Sequence, residues 1–295
     1  MTFSNKFCRG TALALALCAG LPATHAQAPE PDGIEVGKMS RFRNLLPADA
    51  LEAQATQEYA ALKAQAQQKG VLAAENDPQL QRLRKIAGRL IPHAKRWNNR
   101  ADEWQWEVNL IGVDQVNAFC MPGGKIAFFT GILDKLKLTD DEVAIVMGHE
   151  MAHALREHGR ARAAKGTALQ LGAAAVSSLF GLGDLGQMVV GQGAQLTMLR
   201  FSRGDETDAD IAGLDIAARA GYDPRAGIAL WQKMGLVSKR APPQWLSTHP
   251  AGENRITEMQ KQLPQVMPVY ARTQRTSVKA LPPYQSNVRE VSVVR

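Results

Sequence analysis

The pattern of apolar and polar positions divides the chain into a helical start, a short β-rich middle and a longer helical second half. From Pro47 to about Trp97 the spacing is helical, first Ala/Gln/Glu-rich and then amphipathic through Leu80, Ile86, Leu90 and His93. Trp104 to Ile111 alternates apolar with polar residues, the period of a strand. Asn117-Ala118-Phe119-Cys120 and Lys125-Ile126-Ala127-Phe128-Phe129 flank Met121-Pro122-Gly123-Gly124, which predicts two strands joined by a tight turn. Gly131 to Leu138 opens the second helical half. The run Val143-Ala144-Ile145-Val146-Met147-Gly148 predicts a buried helix from about Asp140 to Arg160. Its start is written in Thr139-Asp140-Asp141-Glu142, with Thr at the N-cap, Glu at N3 and acids at the positive helix end. Further helices are predicted from Glu206 to Ala220, from Pro224 to about Gly235 and from Arg255 to Leu263, with Pro242-Pro243 as a rigid break.

These elements predict an α+β fold, mainly helical, with a small sheet or hairpin beside the buried helix. Residues 27–47 read as a linker, and 48–265 as one domain built of N-terminal helices (48–100) and a core (104–263). Residues 266–295 are polar, basic and proline-spotted, and predict an extended tail.

The first residues add a targeting expectation. Lys6 and Arg9 precede an apolar stretch from Thr11 to Leu21, and Thr24-His25-Ala26 offers a small-x-small cleavage site. The stretch falls short of the roughly 20 apolar residues that a membrane span needs. An export signal over 1–26 and a periplasmic location follow, with a lipoprotein anchored through Cys18 as the alternative. Cleavage would leave Cys120 alone, so no internal disulfide could form. It would also lower the formal net charge from +7 to +5 by removing Lys6 and Arg9. That mild excess, with no basic stripe interleaved by aromatics, argues against a nucleic-acid partner.

Residues 166–200 are rich in glycine and alanine. The apolar stretch 168–183 suits either a small-residue helical pair over the site or a peripheral membrane contact. Gly181-Leu182-Gly183-Asp184-Leu185-Gly186 has dinucleotide-fingerprint spacing, but no strand precedes it and no βαβ unit surrounds it, so it is a decoy.

Chemistry concentrates in His149-Glu150-Met151-Ala152-His153. On a helix, positions i and i+4 share a face about 6 Å apart, so two imidazoles can bind one Zn²⁺ while the glutamate reaches a water beside it. The context is a buried helix, where two histidines and a glutamate need partners, and a metal supplies them. Two histidines leave a catalytic zinc one protein ligand short. His158 falls one position away from the third ligand of the extended metzincin motif, and reads as a helix-end histidine. The dense acidic helix start downstream places Glu206 and Asp210 four apart on one face, with Asp208 pointing elsewhere. One of the two can bind metal while the other accepts the outer N–H of a ligand histidine; spacing does not choose between them.

Four motifs in order carry a family likeness: Asn117-Ala118-Phe119 with Pro122-Gly123-Gly124; Gly148 to His153; Ser202-Arg203 with Glu206, Ala209 and Asp210; and His249-Pro250 with Arg255-Ile256. Over roughly Trp104 to Leu263 the chain resembles the HtpX-like and BepA-like zinc metallopeptidases, the gluzincin family that includes the CAAX-prenyl endopeptidases. The resemblance implies a zincin-type domain holding one Zn²⁺ on His149, His153 and Glu206, with Asp210 in support and Glu150 as general base. His249 would stabilise the oxyanion or close the metal site without substrate, and Arg255 would anchor that loop or add positive charge. Asn117, Ala118 and Phe119 would offer an edge to which an extended substrate adds as a strand. The implied function is a zinc endopeptidase of the bacterial cell envelope acting on unfolded or misassembled proteins. The alternative is a zinc-containing assembly factor that binds clients without cleavage.

Overall fold

The computed structural model describes residues 33–167, 201–238, 243–249 and 254–294. Strands β1 (Glu107–Ile111), β2 (Ala118–Met121) and β3 (Lys125–Phe129) form one sheet in the order β1-β3-β2. β1 runs parallel to β3, while β2 pairs with it antiparallel, Ala118 opposite Phe128 and Met121 opposite Lys125. The turn between them uses Gly123 and Gly124 at φ +79 and +78, and a Cβ at Gly124 would come within 2.7 Å of the Trp106 ring. Only glycine fits both demands.

Alternate strand residues face opposite sides. Val108, Leu110, Ala118, Cys120, Ile126 and Phe128 join the main core. Phe119, Met121, Ala127 and Phe129 pack instead against Leu51, Ala55, Tyr59 and Leu62 of helix α1 (Ala48–Gln68). With both faces covered, β2 and β3 read in sequence as nearly continuous apolar runs.

Among the described residues the other α-helices are α2 (Pro78–Leu90), α3 (Thr130–Leu136), α4 (Asp140–Leu155), α5 (His158–Thr167), α6 (Arg203–Arg219), α7 (Ala226–Ser238), α8 (Trp245–Thr248) and α9 (Arg255–Thr273). The α+β expectation holds. α4 is buried from Glu142 to Leu155 and begins with the predicted capping box, Thr139 accepting from Glu142 N and Glu142 from Thr139 N. α6 crosses it where glycines meet: a Cβ at Gly213 would lie 2.8 Å from His149 N, and one at Gly148 would lie 2.9 Å from Gly213 O. Backbone-to-backbone approach brings the two helices close enough for α6 carboxylates to reach α4 imidazoles.

Several expected elements differ. The predicted linker contains buried Ile34 and a 3₁₀ helix, Arg41–Leu45. The buried helix α4 ends at Leu155 instead of Arg160; Glu157 takes φ 56, and a new helix starts at His158. α9 continues past Pro264 and Pro268 to Thr273, because Val266, Met267, Val269 and Ala271 bury against the core and offset the lost helical hydrogen bonds. Nor do residues 266–294 form an extended tail. Tyr284 pairs with Val294 in a β-bridge, both are buried with Val291, and the Tyr284 hydroxyl contacts Thr139 Oγ1 at 3.1 Å. The stretches 1–26, 168–183 and the decoy at 181–186 lie outside the described residues.

Candidate metal centre

α4 presents His149, Glu150 and His153 from one buried stretch, and α6 crosses with Glu206 and Asp210 one turn apart. α6 starts one turn earlier than its predicted Glu206, since Ser202 caps it through a reciprocal bond with Asp205. His249 arrives at the C-cap of α8, and Arg255 at the first turn of α9. The structure therefore gathers His149, Glu150, His153, Glu206, Asp210, His249 and Arg255 in one place.

Four donor atoms, one each from His149, His153, Glu206 and His249, lie within 4.8 Å of one another. His149 Nε2 is 3.1 Å from His153 Nε2, 3.3 Å from His249 Nδ1 and 3.6 Å from Glu206 Oε2. Glu206 Oε1 lies 3.5 Å from His153 Nε2 and 3.1 Å from His249 Nδ1. A tetrahedral zinc with bonds of about 2.0–2.1 Å sets its donors about 3.4 Å apart, close to these separations, with one Glu206 oxygen towards His149 and the other towards His153 and His249.

The outer nitrogens are supported as metal ligands require. His149 Nδ1 lies 3.0 Å from Asp210 Oδ1, which leaves its Nε2 lone pair facing the cluster. His153 Nδ1 lies 3.0 Å from His158 Nδ1, and His158 Nε2 in turn lies 3.9 Å from Asp208 Oδ2. Spacing had suggested only a helix-end role for His158. Asp208 also accepts from Arg156 Nη2 at 3.1 Å.

Arg255 ties the acids together. Its Nε donates to Asp210 Oδ2 at 2.7 Å, Nη2 to Asp210 Oδ1 at 2.5 Å and Nη1 to Glu206 Oε2 at 2.5 Å. Its guanidinium carbon sits 3.9 Å from the Trp231 ring centre. Burial is the largest influence on Asp210 and raises its pKa, but the Arg255 charge and the His149 contact bring it below the ordinary value. Glu206 is likewise pushed up by burial and held far below the carboxylate range by His249 and His153. Burial drives the His153 imidazole well below its usual pKa, so it is neutral, the form that ligates.

Trp245 is a site residue that the sequence motifs did not single out. Its indole Nε1–H donates to Glu150 Oε1 at 2.6 Å, and its ring stacks on His249 with centres 4.9 Å apart. Its position four before His249 was the available signal, because i and i+4 share a helical face. Among the expected strand residues, Ala118 and Phe119 lie on β2, an edge of the sheet. Asn117 precedes it, its Oδ1 accepting from Ala118 N and its carbonyl from Phe129 N. Phe119 faces α1, with its ring 6.5 Å from Tyr59.

The chain is similar to curated metalloendopeptidases. It is 40% identical over 150 residues to "Mitochondrial metalloendopeptidase OMA1" of Arabidopsis thaliana, covering 51% of this chain and 30% of that protein. The protein of the same name from Saccharomyces cerevisiae is 34% identical over 196 residues, covering 61% of this chain and 54% of that one. "Beta-barrel assembly-enhancing protease" of Yersinia pestis is 30% identical over 178 residues, covering 54% and 35% respectively. The chain thus spans between about a third and about half of the length of these relatives.

The identities correct two expectations. The bacterial HtpX-like and BepA-like branch is not supported over the mitochondrial one, whose members match at up to 40%. The periplasmic location, with its Cys18 lipoprotein alternative, is overturned, since these matches point to mitochondrial proteins. The wider family is shown independently: residues 78–263, well over half the chain, match the profile of peptidase family M48, and the chain belongs to that metallopeptidase family.

Proposed function

We propose that the chain is a zinc endopeptidase that cuts unfolded or misassembled proteins, with one Zn²⁺ on His149, His153 and Glu206. The observation that carries this reading is the convergence of imidazole and carboxylate donors at tetrahedral edge lengths beside Glu150, deep in the fold. Zinc bound there supplies a Lewis acid that polarises a scissile carbonyl and acidifies water. Glu150 takes the water's proton and returns it to the leaving amine. Asp210 fixes the His149 tautomer, and Arg255 keeps both acids ionised. The β2 edge suits an extended substrate held by its backbone, which favours unfolded segments of varied sequence.

His249 is the fourth donor of the cluster, so it would have to give way for water and substrate to reach a metal held by the other three. The same four-donor closure favours a second reading, a zinc-bearing assembly factor that binds clients without cutting, because structural sites are closed by four ligands. Incubating the protein with an unfolded, casein-like substrate, with and without a chelator, separates the two. Chelator-sensitive cleavage that Glu150→Gln abolishes supports the peptidase. Client binding without cleavage, unaffected by Glu150→Gln, supports the assembly factor.

A further inference from the structure

Glu150 is buried, and one carboxylate oxygen, Oε1, is engaged by the indole N–H of Trp245 at 2.6 Å. His249 Nε2 stands 3.6 Å from that same oxygen. No described group donates a hydrogen bond to Oε2.

The donor is itself fixed from several sides. Trp245 is 1% exposed, and its backbone N donates to Val116 O at 3.0 Å, just before the β2 edge. Its ring lies 5.6 Å from Trp231, 5.4 Å from His149 and 4.9 Å from His249, centre to centre. Trp231 in turn carries the Arg255 guanidinium. A side chain held this way presents its N–H at a fixed point, and rotation of a carboxylate about its last bond stops when one oxygen is anchored to a fixed donor.

We propose that Trp245 is a positioning residue for Glu150: by holding Oε1 it turns Oε2 towards the substrate-side water, so the base starts each cycle aligned. This rests on the reading of Glu150 as the proton-accepting group. Phenylalanine would fill most of the same space and stack on the same rings, but it has no N–H. The indole nitrogen is therefore the atom to remove.

The test is Trp245→Phe in the full chain with its metal, measured as kcat and KM on a quenched-fluorescence peptide beside metal content and melting temperature. A hydrogen bond to a charged group sets the expected loss in kcat at roughly tenfold to a hundredfold. KM should stay within about twofold and zinc stoichiometry should not change, a split that loose packing alone does not produce. A second variant carries 3-benzothienylalanine at position 245, which keeps the bicyclic shape and replaces N–H by sulfur; it should lose kcat to the same degree. Unchanged kcat in both variants, or a loss in Trp245→Phe that the benzothienyl variant does not share, overturns the proposal. A wild-type chain without any chelator-sensitive cleavage would instead remove the reading of Glu150 beneath it.

Discussion

Replacing Arg255 by methionine keeps a stem of similar volume and removes only the guanidinium. The side chain is 7% exposed and makes three charge-assisted bonds, two to Asp210 and one to Glu206. Without it, two carboxylates one helical turn apart are left buried with no cation from α9 between them. Breaking a buried ion pair by removing one partner costs about 3–5 kcal/mol. For a domain of this size each kcal/mol moves the melting temperature by about 2–4 °C, so Arg255→Met should melt roughly 6–20 °C lower. The assay is thermal and denaturant unfolding in chelator, so that metal binding does not add its own stabilisation. Adding Asp210→Asn then discharges one stranded acid. The double variant should be less destabilised than the sum of the singles by about 1–3 kcal/mol. A melting shift below about 2 °C, or simple additivity, would refute the view that Arg255 neutralises this pair.

Other outcomes follow from the same geometry. Gly213→Ala would press a methyl against His149 N, 2.8 Å away on a backbone that cannot rotate aside, and so force α6 from α4. It should cost about 1–3 kcal/mol and weaken zinc retention on dialysis; unchanged retention would mean the crossing has slack. Asp141 is raised from 3.8 to about 6, chiefly by burial, while it accepts from Asp223 N at 3.0 Å. Its folded pKa lies above its unfolded one, so its stabilising contribution is complete below about pH 4 and is lost as pH rises through about 6. Asp141→Asn should therefore gain about 1–2 kcal/mol at pH 7 and flatten the urea-midpoint profile between pH 4 and 7; a parallel profile would contradict the assignment.

Much of this arrangement could be read from residue order. The capping box fixed where α4 starts, and the i, i+4 histidines fixed which face carries donors. Pro122-Gly123-Gly124 marked the hairpin between two short apolar runs, and alternation marked β1. Spacing alone could not choose between Glu206 and Asp210, because both sit on one face of α6; long-range contacts distinguish them, Glu206 facing His149 Nε2 and His153 Nε2 and Asp210 facing His149 Nδ1. The extension of α9 through two prolines was illegible for a similar reason: local propensity ends a helix there, and burial of Val266, Met267 and Val269 overrides it. The last residues looked like a tail because Tyr284, Val291 and Val294 are too widely spaced to form a periodic signal, although each reaches the core. Motif spacing, one position off the metzincin ligand, gives His158 only a helix-end role; the break at Glu157, φ 56, instead places its Nδ1 3.0 Å from His153 Nδ1.

Metal analysis of the wild-type chain beside Glu206→Ala tests the central claim most directly, because Glu206 is the one proposed ligand that comes from a different helix. The account predicts one zinc per wild-type chain and a marked loss of zinc in the variant. A native protein devoid of transition metal, or a variant that keeps full stoichiometry, would contradict it.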